Sequence, residues 1–138
     1  MTIYAYTDGA SRGNPGESGI GIVLRDETGN VLFEGGGYIG TATNNIAEYQ
    51  ALLACVKKAR ELSCKKLVVY SDSQLMVRQL QGKYRVKDAK LRQQFMQTKD
   101  LLKSAPFTFE IIHIERENNS YADELANAGI DNKKQLEF

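Results

Sequence analysis

Hydrophobic and polar positions along the chain follow two periods. Residues 2–7 alternate and are rich in β formers, which predicts a strand ending at Asp8. Gly, Ser, Asn and Pro then dominate residues 9–18, predicting a polar turn region. Residues 19–26, GIGIVLRD, read as a second strand, whose Gly19 and Gly21 signal close backbone approach or twist. Glu27–Asn30 reads as a hairpin turn, and residues 31–39 as a third strand with a bulge-prone run at Gly35–Gly37. These three strands predict an antiparallel meander. From residue 46 the period lengthens. Leu52, Leu53, Val56 and Ala59 form the apolar stripe of a helix over 46–62, opposite Lys57, Lys58, Arg60 and Glu61. The run KLVVYS at 66–71 is almost continuously apolar, as in a central strand of a partly parallel sheet. Helices are predicted over 73–81, ended by Gly82, and over 88–104, with Leu91, Phe95, Leu101 and Leu102 turned to the core. A fifth strand over 107–115 and a last helix over 120–128, closed at Gly129, complete the order. Three strands, helix, strand, helices, strand, helix predicts an α/β layered domain with a mixed sheet.

A length of 138 residues suits one domain, expected over 1–130, with a frayed tail at 131–138 where periodicity is lost. Hydrophobic residues at 42% and charged residues at 25% are ordinary for a globular chain. The net charge of +1 gives no global attraction to polyanions, so nucleic-acid binding would rest on local patches. Cys55 and Cys64 match no metal spacing and are expected to be reduced cytosolic thiols. Met1 leads directly into a strand, and no apolar run approaches the ~18 residues of a membrane span. A cytoplasmic monomer without membrane contact is therefore expected.

Candidate chemistry lies in four carboxylates, each with a plain structural alternative. Asp8 ends a strand beside a glycine-rich turn, where it can form that turn. Glu48 stands three residues after Asn45 and Asp123 three after Ser120, so each fits a capping box. Asp72 follows the KLVVYS strand and fits a helix cap. The set as a whole points elsewhere. Strand ends bearing Asp8 and Asp72 would share one sheet edge if the strands are parallel neighbours, and ligands of α/β sheets bind there. Glu48 and Asp123, in the first turns of two helices, can turn to the same place. Acids within ~4–6 Å of one another repel by up to ~4 kcal/mol per close pair, so such a cluster either retains protons or takes up a hard cation. Oxygen-only ligation suits Mg²⁺ or Mn²⁺. The chain shows no Cys/His set for zinc, no GxxxxGK[ST] loop and no Ser-His-Asp set around its single histidine, His113.

Four segments carry a resemblance. Tyr6-Thr7-Asp8-Gly9-Ala10-Ser11-Arg12-Gly13-Asn14-Pro15-Gly16, Thr43-Asn44-Asn45-Ile46-Ala47-Glu48, Ser71-Asp72-Ser73-Gln74 and Asn119-Ser120-Tyr121-Ala122-Asp123-Glu124-Leu125-Ala126 occur in the order seen in the type 1 ribonuclease H family, which the chain resembles over about residues 2–129. The resemblance implies a ribonuclease H-like fold: a five-stranded mixed sheet, its first three strands antiparallel and strands 1, 4 and 5 parallel, with helices on both faces. It implies that Asp8, Glu48, Asp72 and Asp123 are the catalytic, metal-binding residues, holding two Mg²⁺ or Mn²⁺ ions. The implied activity is endonucleolytic cleavage of the RNA strand of an RNA/DNA hybrid, leaving 5′-phosphate and 3′-hydroxyl ends. By the same resemblance, Asn14, Asn45 and Gln74 contact the hybrid's backbone and minor groove. Thr43 lies near a DNA phosphate, and the backbone of Gly9, Ala10 and Ser11 approaches RNA 2′-hydroxyls. The alternative is a non-catalytic RNA- or hybrid-binding module, which retention of all four acids argues against.

The chain departs from the family's pattern in two places. Some members carry a tryptophan-bearing basic handle; here the segment Gln81–Lys90 is short and the chain has no tryptophan. A basic run remains at Lys83, Arg85, Lys87, Lys90 and Arg92, with Tyr84 interleaved, and reads equally as a phosphate-contacting patch or a solvated helix start. Weak hybrid affinity is expected. Many members also place a histidine before the last helix, whereas Ile114–Asn119 here has none. This short loop matches a handle-less subgroup, with Arg116 as an auxiliary electrostatic group, while His113 is expected to be packed within the fifth strand.

Overall fold

The computed structural model describes residues 1–136. Its five strands are β1 (Thr2–Gly13), β2 (Gly16–Arg25), β3 (Val31–Ala42), β4 (Lys66–Ser71) and β5 (Thr108–His113). The helices are α1 (Asn44–Glu61), α2 (Gln74–Leu80), α3 (Ala89–Lys103) and α4 (Ser120–Asn132), with a 3₁₀ turn at Arg116–Asn119. One sheet forms in the order β3-β2-β1-β4-β5. β1, β2 and β3 pair antiparallel, while β4 runs parallel to both β1 and β5. This is the mixed α/β sheet predicted by the order of elements, in the ribonuclease H-like arrangement that the resemblance implied.

Strand alternation sorts the two faces. Ile3, Ala5, Ile20, Ile22 and Leu24 are buried on the side covered by α1, where Tyr49, Leu52 and Val56 complete the core. On the opposite face α4 lies across β2 and β3. The glycines of these strands permit that seating. A Cβ at Gly21 would stand 2.1 Å from the Ala122 carbonyl oxygen, and one at Gly36 would stand 1.9 Å from that of Leu125. Close approach is thus the role of Gly21, and also of the Gly35–Gly37 run, which does not bulge. The register slips at Ser18/Gly19 and Leu24/Arg25 instead.

Three further expectations are corrected. β1 does not end at Asp8: it continues to Gly13, because residues 9–13 and 16–20 pair with each other across a tight turn at Asn14 and Pro15. α4 does not stop at Gly129 but runs to Asn132, since Gly129 packs against the backbone of Gly37 and the left-handed cap falls at Lys133. The segment after α4 is not frayed through Leu136. The Tyr38 N–H donates to the Lys134 carbonyl at 2.7 Å, and Leu136 packs against β3 and the core. The last two positions of the expected tail, 137–138, lie outside the described residues.

Candidate active site

The site forms where the parallel pairing of β1 and β4 runs out. Thr7 and Ser71 are the last paired residues, and Asp8 and Asp72 follow them at the same edge. Asp8 remains paired with Gly21 on its other side, so a carboxylate in mid-strand stands at the boundary of the parallel sheet. α1 delivers Glu48 from above. A Cβ at Gly9 would stand 2.3 Å from the Ala47 carbonyl carbon, so only glycine lets strand and helix meet backbone to backbone. The Gly9 N–H then donates to Glu48 Oε1 at 2.9 Å. Oxygens of Asp8, Glu48 and Asp72 all lie within 4.8 Å of one another.

None of the four acids is a cap. Thr43 caps α1 through the Ile46 N–H, and Ser73 caps α2 through the Met76 N–H, leaving Glu48 and Asp72 free for the cluster. At α4 no side chain caps the helix, and Ser120 is its first residue. Asp123 stands outside the close group of three, exposed, yet near enough to Asp8 to help raise its proton affinity.

Asp8 and Glu48 are each only 4% exposed. Burial pushes the Asp8 carboxyl far above the ordinary carboxylate range, and the charges of Glu48 and Asp72 push it further. Glu48 is raised by burial and then by Asp72, against the Gly9 N–H and the Arg116 charge, which favour its ionised form. Acids crowded in this way either retain protons or take up a cation. Their donor set is oxygen alone, converging within one ion's coordination sphere, and fits a hard divalent metal.

The remaining predicted residues spread around this edge. β1 overruns β4 beyond Thr7, so the backbone edge of Gly9, Ala10 and Ser11 faces no strand on the β4 side. The Ser11 hydroxyl donates to the carbonyls of Gly13 and Ala42. Asn14 Oδ1 accepts from the Asn44 N–H at 3.1 Å, tying the β1–β2 turn to the start of α1, where Thr43 caps and Asn45 is exposed. Gln74 is exposed as the first residue of α2. Arg116, exposed in the 3₁₀ turn, is near enough to act on Glu48. Lys83 and Arg85 are exposed in the segment between α2 and α3, outside the acidic cluster. His113 is the last residue of β5, half-buried beside Ser71 in the register and lining a groove with Arg78 and Gln81.

Asn119 was visible in the sequence only as part of a motif. It is 2% exposed, and its Nδ2 donates to Asp72 Oδ2 at 3.0 Å and to the Thr7 carbonyl at 2.9 Å, while its Oδ1 has no protein partner. It therefore fixes the Asp72 carboxylate to the last residue of the parallel β1–β4 pairing. An Asn four residues before Asp123 was the available signal.

The family described as "Reverse transcriptase-like" matches residues 6–129. Ribonuclease HI of Halobacterium salinarum is 41% identical over 129 residues, 94% of this chain and 64% of that protein, so the chain spans just under two thirds of that relative's length. The crystal structure of RNase H1 from Halobacterium salinarum matches with a TM-score of 0.91 at 41% identity, covering 96% of this chain and 99% of the other. LC11-RNase H1, in a crystal structure with an RNA/DNA hybrid, matches with a TM-score of 0.90 at 42% identity over 94% of this chain and 97% of its own.

Proposed function

The chain belongs to the type 1 ribonuclease H family, and from that premise we propose that it is a metal-dependent endoribonuclease that hydrolyses the RNA strand of RNA/DNA hybrids. The observation that carries this reading is the convergence of Asp8, Glu48 and Asp72 within 4.8 Å at the sheet edge, with Asp123 beside Asp8. Two Mg²⁺ or Mn²⁺ ions held by these four carboxylates would ionise an attacking water and stabilise charge on the phosphate and the departing oxygen.

The chain's own groups set the geometry of that chemistry. Burial and the Gly9 N–H hold Glu48, and Asn119 holds Asp72. Water attacks phosphorus in line with the bond to the 3′ oxygen, and breaking that bond leaves a 5′-phosphate and a 3′-hydroxyl. Choice of RNA rests on the open backbone edge at Gly9, Ala10 and Ser11, which suits contact with 2′-hydroxyls. Asn14, Thr43, Asn45 and Gln74 present amides and a hydroxyl toward the duplex backbone. Arg116 takes the place of the missing loop histidine as a positive group near Glu48, and this chain falls in the handle-less subgroup. Lys83 and Arg85 supply phosphate contacts whose strength falls with salt.

An end-labelled RNA/DNA hybrid, with RNA duplex, DNA duplex and single strands as controls, tests the reading in Mg²⁺, Mn²⁺ and chelator. The expected result is metal-dependent cutting of the hybrid's RNA strand alone, abolished by Asp72→Asn. Wild-type turnover in that variant, or no cutting by a folded wild-type protein with either metal, would overturn it.

A further inference from the structure

Asp123 is exposed, whereas Asp8 and Glu48 are buried and Asp72 is half-buried and held by Asn119. A polar chain orients Asp123. Asn127 stands one helical turn beyond Asp123 on α4, and its Nδ2 donates to the Asp123 carbonyl at 3.0 Å and to Asp123 Oδ1 at 3.3 Å. On its other side, Asn127 Oδ1 accepts from Arg12 Nη2 at 3.3 Å, and the same nitrogen reaches the Asn127 carbonyl at 3.4 Å. Arg12 is fixed in turn by Asp131, one turn further along α4, at 2.6 Å. The amide of Asn127 thus has one workable orientation. Rotated by half a turn, its oxygen would face the Asp123 carboxylate and carbonyl, and its NH₂ would face the guanidinium.

We propose that Asn127, locked by Arg12, is the positioning residue that keeps the Asp123 carboxylate turned toward Asp8 and ready for a divalent cation. The device has a second consequence. Arg12 lies near the tip of the β1–β2 hairpin that carries Asn14, so the hairpin and the fourth carboxylate are tied together through one side chain. This inference rests on the proposed metal site, but not on the identity of the substrate.

Calorimetric titration of the nucleic-acid-free protein with Mn²⁺ tests it, alongside steady-state cleavage of the hybrid. Removing a hydrogen-bond partner of a metal ligand costs on the order of 10-fold in metal affinity or activity. Asn127→Ala is expected to weaken Mn²⁺ binding about 10-fold and lower kcat similarly, with KM for the hybrid within about 2-fold. Asn127→Gln, which keeps the donor, restores most of the affinity. Arg12→Ala weakens binding less, and Arg12→Ala combined with Asn127→Ala is no worse than Asn127→Ala alone, because both act through one contact. Thermal unfolding of each variant shows that it is folded. Wild-type Mn²⁺ affinity in Asn127→Ala, or losses that multiply in the double variant, would overturn the inference while leaving hybrid cleavage by the wild type intact. Weakened Mn²⁺ binding in Asn127→Ala with no hybrid cleavage by the wild type would support the inference and remove the substrate reading instead.

Discussion

The helices α1 and α4 cover opposite faces of one sheet and each brings an acid to the same edge, yet they are held by different means. α1 binds its face with large side chains: Tyr49, Leu52 and Val56 are fully or almost fully buried. It carries Glu48 into the interior with a backbone donor waiting for it. α4 binds its face with backbone, lying on the glycines of β2 and β3. It leaves Asp123 at the surface, oriented by Asn127 and Arg12. A buried acid is held by packing and resists deprotonation. An exposed acid must be aimed by its polar neighbours. A site that needs both a tightly held and an adjustable carboxylate obtains them from two modes of helix packing.

The largest effect should come from removing the acid shared by both halves. Asp8→Asn is expected to reduce hybrid cleavage by about 10³-fold or more, the scale of several kcal/mol of transition-state stabilisation. Single-turnover assays at saturating Mg²⁺ would read it. The two packing modes should then fail in opposite ways. Leu52→Ala leaves a cavity under α1 and is expected to cost about 2–5 kcal/mol. Gly36→Ala overpacks the α4 face and is expected to cost about 1–3 kcal/mol, with Leu125 displaced. Denaturant unfolding gives both values. A change no larger is expected from Asn119→Ala, which strands the Thr7 carbonyl at about 1–3 kcal/mol of stability. It should also weaken Mn²⁺ binding through Asp72, as calorimetry would show.

Much of this comparison was legible in the sequence, and its errors have physical reasons. The stripe of Leu52, Leu53, Val56 and Ala59 and the apolar run KLVVYS are strong periodic signals, and all four stripe residues are buried. The α4 face was harder to read, because glycines carry no hydrophobic period: Gly35–Gly37 suggested a bulge and Gly129 suggested a helix end. Gly36, Gly37 and Gly129 reflect backbone contact between α4 and the sheet, and Gly35 lies against the Leu136 side chain, which only the tertiary arrangement reveals. Asp8 was recognised, although the strand was ended too early, because a hairpin rich in Gly, Ser and Asn resembles a loop. The capping explanations for Glu48, Asp72 and Asp123 failed because the actual caps, Thr43 and Ser73, were adjacent and α4 uses none. Asn127 and Arg12 are separated by over a hundred residues, and nothing in the local pattern joins them.

Proton linkage sets the direction of the pH response. Asp8 and Glu48 have proton affinities raised by burial and by their neighbours, so between the unfolded value near 4 and the higher folded values the native protein binds more protons than the unfolded chain. Their contribution to stability is full below about pH 4 and is lost as pH rises through the folded values. The metal-free protein should therefore lose stability from weakly acid to alkaline pH, and Mn²⁺ should flatten that decline.

The most direct test of the central claim, that these acids are assembled for a cation at the expense of the fold, is chemical unfolding at pH 8 of the wild type and Asp8→Asn. Each would be measured in chelator and in Mn²⁺. The account predicts that in chelator Asp8→Asn is the more stable, because at pH 8 the wild type must take up protons to fold that the unfolded chain does not hold, and that Mn²⁺ stabilises the wild type far more than the variant. A variant less stable than the wild type in chelator, with both proteins indifferent to Mn²⁺, would contradict it and return the carboxylates to a structural role.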